Sequence, residues 1–373
     1  MIYSLSTPAC RLLIAICSLL LAGSALGASD EDKTNKVKIS YDGVFIEDFT
    51  YLDGVSRTQN EAGQWQRRRL ALEVEFELDR VSLVLDGGVG QGSDSFNWRD
   101  AYLFIDFPKK LELKIGKMKQ KFGFSRSMSL KNNLTLERPQ VLDLLNLDRA
   151  SGVSLAASPE NIKFEMSWFQ SKNEDDELLS STISRIVYAH EKEHYWHLGF
   201  SLARESYNGE TYQVKSRAET DVMNSFLRTE KITAEKVEYQ GIEGVWQRQR
   251  FMVVSELINN KIISAKEGNR EYSGAYVQGS YFLTPDKHRL SDAKLRRLRL
   301  RGDSAWELVA SFSYLDAFSL GDGFASSTTA IGLNYYHKSG LKIMGELNAL
   351  KINQGQYDGE TGLAVLLRMQ FRF

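Results

Sequence analysis

Leu363-Ala364-Val365-Leu366-Leu367-Arg368-Met369-Gln370-Phe371-Arg372-Phe373 closes the chain and decides the fold. Leu363, Val365, Leu367, Met369, Phe371 and Phe373 fall on one face, and Ala364, Leu366, Arg368, Gln370 and Arg372 on the other. A period of two means a β-strand, and the second face carries cations and an amide. A soluble sheet can alternate in this way. A strand that stops on an aromatic residue at the C-terminus is instead the habit of outer-membrane barrels, where that ring sits at the membrane rim. The expectation is an all-β fold, a transmembrane antiparallel β-barrel.

The N-terminus agrees with export. Arg11 precedes an apolar run from Leu12 to Leu21, then small residues and Ala25-Leu26-Gly27 before Ala28. This pattern predicts a signal peptide over 1–27 and a short flexible lead-in over 28–36, leaving 37–373 as the barrel. The run is too short for a helical span, which needs about 20 residues, and no later stretch reaches that length. Ile16 before Cys17 is bulky where a lipoprotein signal wants a small residue. Cys10 and Cys17 both fall in the segment expected to be removed, so the mature chain has no disulfide or thiolate chemistry. Losing Arg11 from 47 basic residues leaves 46 against 48 acidic ones, a net charge of −2 that points to no nucleic-acid partner.

Alternation recurs along the chain. Leu70, Leu72, Val74, Phe76 and Leu78 oppose Arg69, Glu73, Glu75 and Glu77. Leu103, Ile105 and Phe107 oppose Tyr102, Phe104 and Asp106, while Leu111, Leu113 and Ile115 oppose Glu112 and Lys114. Trp306, Leu308, Ala310, Phe312 and Tyr314 oppose Glu307, Ser311 and Ser313. A sandwich core could not solvate so many inward charges, whereas a wide lumen can. Tight turns at Asp79-Arg80, Pro108-Lys109, Ser158-Pro159-Glu160 and Lys338-Ser339-Gly340 alternate with long polar loops near 53–64, 117–149, 171–180, 204–232, 316–327 and 353–361. Short turns on one side and long loops on the other is the porin arrangement. The count is 16 strands, from 37–52 to 362–373, provided that 204–232 is a single loop. That number is wide enough for an aqueous channel.

Three motifs carry possible chemistry. His190-Glu191-Lys192-Glu193-His194 matches H-E-x-x-H, but zinc-protease chemistry needs a helix, and its flanks read as strands, so the motif is expected in a turn. Gly87-Gly88-Val89-Gly90-Gln91-Gly92 lacks the following helix of a dinucleotide loop and reads as a mobile loop. No metal ligand set, cofactor site or catalytic residue is assigned. The third feature is basic. Arg67-Arg68-Arg69 opens the second strand, and parity counted from Leu70 turns Arg67 and Arg69 to the lumen and Arg68 outward near the rim. Residues 287–301 hold seven cations against Asp292 alone, a solvated loop or an anion funnel. Counting strands back from Phe373 puts that run on the periplasmic side.

At this point the residues resemble a family, the phosphate- and polyphosphate-selective outer-membrane porins. Asp100-Ala101-Tyr102-Leu103, the run Lys114 to Gly123, Glu137-Arg138, the run Gly274 to Thr284, Ala305 to Leu308 with Ser313 to Asp316, and Gly332 to Tyr336 match its motifs in order. The resemblance implies a homotrimer of 16-stranded barrels in the outer membrane of a Gram-negative bacterium, in contact with its lipid and lipopolysaccharide. It also implies a third long loop, here 117–149, folded inward to narrow the pore. It implies pore-lining, solute-binding roles for Arg67, Arg69, Lys114 and Lys119, with small anions such as phosphate or polyphosphate as solutes. Two departures matter: Lys121 replaces a common proline, and Glu73, Glu75, Glu77 and Glu112 oppose a strongly anion-selective field. The expected function is a passive diffusion channel and not an enzyme. The rival is a barrel enzyme, either a hydrolase or a zinc protease, and a steady single-channel conductance separates the two.

Overall fold

The computed structural model describes residues 37–55, 63–90, 95–172, 178–191, 193–220 and 225–373. The expected signal peptide, 1–27, and the expected lead-in, 28–36, lie outside them. Sixteen antiparallel strands close into one barrel, each bonded to its neighbours in chain order. They are β1 Lys38–Gly54, β2 Gly63–Leu78, β3 Val81–Gly90, β4 Asn97–Phe107, β5 Leu111–Lys119, β6 Arg149–Ala157, β7 Ile162–Lys172 and β8 Leu178–Glu191. The second half is β9 Tyr195–Ser206, β10 Lys236–Arg248, β11 Phe251–Ile263, β12 Arg270–Phe282, β13 Ser304–Ser319, β14 Asp322–His337, β15 Leu341–Gly355 and β16 Thr361–Arg372. The seam joins β1 to β16, from Val44 opposite Arg372 to Gly54 opposite Gly362.

Alternation sorts the side chains as solvent demands. Leu198, Phe200, Leu257, Phe312, Ile331 and Leu367 are exposed on the outer wall, where lipid takes the place of a core. Their chain neighbours turn inward. Near the short turns an aromatic girdle runs through Trp196, Trp246, Trp306, Tyr335, Phe371 and Phe373, with Trp196 and Trp246 6.1 Å apart and Trp306 and Tyr335 4.8 Å apart. Short turns, the C-terminus and the connection 283–303 share this end of the barrel, the periplasmic end by porin polarity. The basic run 287–301 therefore shares the end of the barrel that carries the C-terminus, as strand counting required.

The last aromatic is seated by a glycine. Gly43 and Phe373 exchange backbone hydrogen bonds (2.8 and 3.2 Å), and a Cβ on Gly43 would lie 2.2 Å from the Phe373 ring. Gly43→Val is expected to expel that ring and cost about 1–3 kcal/mol by overpacking. The folded, heat-modifiable fraction on detergent gels should fall, and an unchanged fraction would show that the seat is dispensable.

The connection 207–235 is one loop, as the count of 16 required. It forms two short ladders, Thr211–Tyr212 with Ile232–Thr233 and Lys215–Ser216 with Leu227–Arg228. The inward loop 120–148 contains a single short helix, α1 Gly123–Ser127, and two 3₁₀ turns, Leu130–Asn132 and Gln140–Leu144. Phe122, Phe124, Val141, Leu144 and Leu147 are completely buried, so this loop supplies the apolar filling that the polar lumen lacks. Its tip is docked by β11: Phe124 and Ser125 donate backbone N–H bonds to the Glu256 carboxylate at 2.9 and 2.7 Å. Its far end is held by loop 207–235, where Tyr212 donates to the Leu144 carbonyl at 2.8 Å and the Gln140 N–H donates to Glu219 at 2.9 Å.

Candidate functional site: a cation-lined lumen

Two β-bulges shape the pore. Between β1 and β2 the register jumps, Ile46 facing Arg69 and Glu47 facing Arg67, so Arg68 is the extra residue. The same happens between β3 and β4, where Asp86 faces Asp100 and Gly87 faces Trp98, leaving Arg99 as the extra residue. A bulge breaks the period of two and re-aims a side chain. Arg68 turns into the lumen to meet Glu137 at 3.2 Å, and Arg99 turns in toward Asp86 at 3.7 Å.

This corrects the parity reading of the arginine run. Arg68, expected to face outward, points inward. Arg67, expected in the lumen, stands opposite Glu47 on the outer face, because beyond the bulge the alternation is reversed. Phe49 and Trp65 pack against each other at a tilt on that same outer face, with ring centroids 4.9 Å apart. Arg69 does reach the lumen, as do Lys114 and Lys119. The structure thus brings three of the four expected pore residues together and leaves Arg67 outside.

Around these three the middle of the lumen collects Arg99, Lys121, Lys131, Arg149 and Lys294. Asp42, Glu73, Asp86 and Asp100 are interspersed among them. Several of the cations are matched. Arg149 grips Asp100 through two bonds (2.9 and 3.3 Å), and Lys131 meets Asp42 at 2.5 Å. Lys121, at the position of the family's proline, pairs with Glu165 at 2.7 Å. Lys119 donates to the Met128 carbonyl at 2.7 Å, fixing the start of the inward loop. Lys114 lies 5.3 Å from the ring centres of both Tyr102 and Phe104, a cation–π seat. Among the described residues, neither Arg69 nor Lys114 makes an ion pair.

The two ends of the lumen differ in chemistry. Toward the long loops the vestibule is lined by Arg68, Arg126, Arg138 and Arg217 with Lys215, mixed with Glu137, Asp143, Asp148 and Glu219. Toward the short turns, Lys131, Arg296, Arg297, Lys338, Lys342 and Arg372 surround a cavity with no acid among its described lining residues, although Asp42 pairs with both Lys131 and Arg372. Part of that mouth comes from the connection 283–303, which folds back inside. Its hairpin Leu290–Ser291 with Lys294–Leu295 turns through Asp292 and Ala293, both at positive φ, and the Leu295 carbonyl accepts a bond from Asn132 of the inward loop at 3.1 Å. The neighbouring Lys121 and Lys114 ammoniums, together with burial, hold Lys294 well below the usual lysine range. Guanidinium groups therefore predominate above the constriction, while arginines and lysines share the mouth below it.

Asp143 and Glu219 give the vestibule a pH dependence. Both lie in loops, and burial pushes the Asp143 carboxyl up to about 7 and the Glu219 carboxyl up to about 8. Ser216, Arg217, Glu137 and Arg126 face Asp143, while Ser313, Gln140 and Glu346 face Glu219. Each group is neutral below its raised pKa, so acidification from pH 9 to pH 6 removes two negative charges from the vestibule. Preference for anions, read as reversal potential, is expected to rise over that interval. A fall would contradict this assignment.

The other two motifs are structural. His190 ends β8 on the outer face beside Tyr188, and His194 precedes β9, while His197 points inward to Glu243, so the three imidazoles do not converge. Lys192 of the H-E-x-x-H motif lies outside the described residues. Gly87 to Gly90 end β3, and the Phe96 ring occupies the space where a Gly87 side chain would stand. Gln91 and Gly92 lie outside the described residues.

The description of the family model that matches residues 39–373 reads "Phosphate-selective porin O and P". The chain belongs to that family. This porin is also similar in fold to solved outer-membrane channels. They include OmpT of Vibrio cholerae in trimer form (TM-score 0.59, 10% identity, 90% of this chain and 99% of that one). An anion-selective porin from Comamonas acidovorans matches with TM-score 0.59 and 11% identity over 91% of this chain and 100% of that one. The outer membrane channel DcaP of Acinetobacter baumannii matches with TM-score 0.55 and 10% identity over 92% and 100%. No curated protein sequence matches. The family and the barrel point to an outer-membrane channel rather than an enzyme.

Most of the lumenal cations were hidden in the sequence. Arg99 and Arg149 carry no motif of their own, and Arg126 and Arg138 lie in a loop without periodicity. Arg368 and Arg372 were visible as the polar face of the last strand. Their partners, Asp48 with Glu137 and Asp42, were not.

Proposed function

We propose that this porin is a passive channel for small oxyanions of the phosphate type, working as a homotrimer. The observation that carries the selectivity is the crowd of cations around Arg69 and Lys114 at mid-lumen, continued by arginines above and by arginines and lysines together below. Arginine presents a planar fork to an oxyanion and lysine a point charge, so an anion entering the vestibule meets successive partners without a single deep trap. The family's description and the anion-selective Comamonas porin support the same reading.

The trimer is supported by the outer wall. Glu47 and Arg67 stand opposite each other on that wall within β1 and β2, where hydrocarbon penalises charge, and a neighbouring protomer covering this face removes the penalty. The trimer form of Vibrio OmpT is consistent with this. A planar bilayer tests the function directly. Reversal potential in a salt gradient should show anion preference, and added phosphate should reduce the chloride current. Cation preference would reject the reading.

A further inference from the structure

Glu137 sits where a permeating anion would bind. Its carboxylate meets Arg68 Nη2 at 3.2 Å and Arg368 Nη2 at 2.7 Å; the Glu137 side chain is only 13% exposed at the wall of the arginine-lined vestibule, with Arg68 on its open side and Arg368 buried behind it. Arg368 is engaged on its other edge by Asp48 (2.7 and 2.6 Å) and donates to the Leu136 carbonyl at 2.5 Å. Arg68 is brought there only by the bulge in β2. We infer that Glu137 is a tethered counter-anion: it fills the seat between Arg68 and Arg368 that a solute oxyanion would take, and so sets how tightly the pore holds its anion. The inference rests on the anion-channel reading above.

The main chain around Glu137 does not need this carboxylate for support. The Leu136 N–H is held by Glu346 at 3.0 Å, the Leu134 carbonyl by Asn334 at 2.9 Å and the Thr135 hydroxyl by Gln278 at 2.8 Å. On the other side, the Gln140 N–H is held by Glu219 at 2.9 Å. The loop is fastened on both flanks by β12, β14, β15 and loop 207–235, so the side chain is left to its electrostatic role. Arg68 and Arg368 hold the Glu137 carboxyl below the usual carboxylate range against its burial, so it is charged at neutral pH.

Carboxylate and phosphate oxygens present the same bite to a guanidinium fork. A solute must therefore displace a competitor that is always present. The result is weak occupancy and fast release, which conduction requires.

The test compares wild type with Glu137→Gln, Glu137→Ala and Glu137→Asp in planar bilayers, reading the phosphate concentration that halves the chloride current. Removing the carboxylate is expected to lower that concentration about tenfold, while Glu137→Asp, which keeps the charge, stays within about twofold of wild type. The gain should vanish in the Arg68→Ala/Glu137→Gln double variant. Pore radius, read by exclusion of neutral polymers, should not change. A half-blocking concentration unmoved in both removal variants, while wild type is blocked by phosphate, would overturn this inference alone. So would a gain that survives loss of Arg68, or one accompanied by a wider pore. Wild-type channels that prefer cations would instead overturn the functional reading beneath it.

Discussion

Replacing Arg69 and Lys114 together by Ala is expected to lower the anion-to-cation permeability ratio about tenfold, equivalent to about 1.4 kcal/mol. The two line the middle of the lumen and, among the described residues, neither makes an ion pair, so their field acts on the passing ion rather than on a wall carboxylate. A unit charge at 4 Å is worth about 4 kcal/mol at the effective dielectric of a protein surface and less after salt screening, so about 0.7 kcal/mol for each is a modest demand. Arg149 is the contrasting control, because it is tied through two bonds to Asp100. Reversal potential in a salt gradient measures the difference. A ratio that does not move would mean that the vestibule arginines alone set the selectivity.

The second large effect is expected at Gly123. This residue adopts φ +66, and a Cβ there would lie 1.9 Å from Glu256 Oε2. Glu256 cannot retreat without releasing the N–H groups of Phe124 and Ser125 that it holds. Gly123→Val adds to this collision a left-handed backbone that costs a side-chain residue roughly 1–2 kcal/mol. The tip of the inward loop should leave its dock. A 16-stranded barrel is open when nothing occupies it, so unitary conductance should rise roughly twofold or more and become noisy. Wild-type conductance with quiet openings would show that the dock does not control the constriction.

Strand number and polarity were legible because two solvents write on alternate residues. Lipid outside and water inside give Leu363 to Phe373 its two faces, and the same contrast recurs wherever a strand crosses. The arginine run shows where this reading stops. Parity carried from Leu78 back to Leu70 is correct, but a single extra residue at Arg68 reverses everything before it, and no change in residue type announces the bulge. Arg99 is hidden in the same way. The inward loop was legible in position and not in fold. Its tip is fixed by Glu256 and its far end by Tyr212 and Glu219, partners that lie far along the chain and leave no local period to read.

The seam between β1 and β16 has a consequence for biogenesis. The first strand finds its second partner only when the last dozen residues have arrived, so closure waits for the entire chain. The constriction waits for the same residues. Leu136 is held by Arg368, 232 positions away, and Lys131 accepts a bond from Gln370 across 239. Contacts of such separation form late, since the entropy of closing the intervening chain must be met first. An unfinished molecule therefore has neither a sealed wall nor a narrowed passage, and both are completed by the same terminal residues. A chain that lacks β16 therefore loses the seal of the wall and the anchor of the inward loop together.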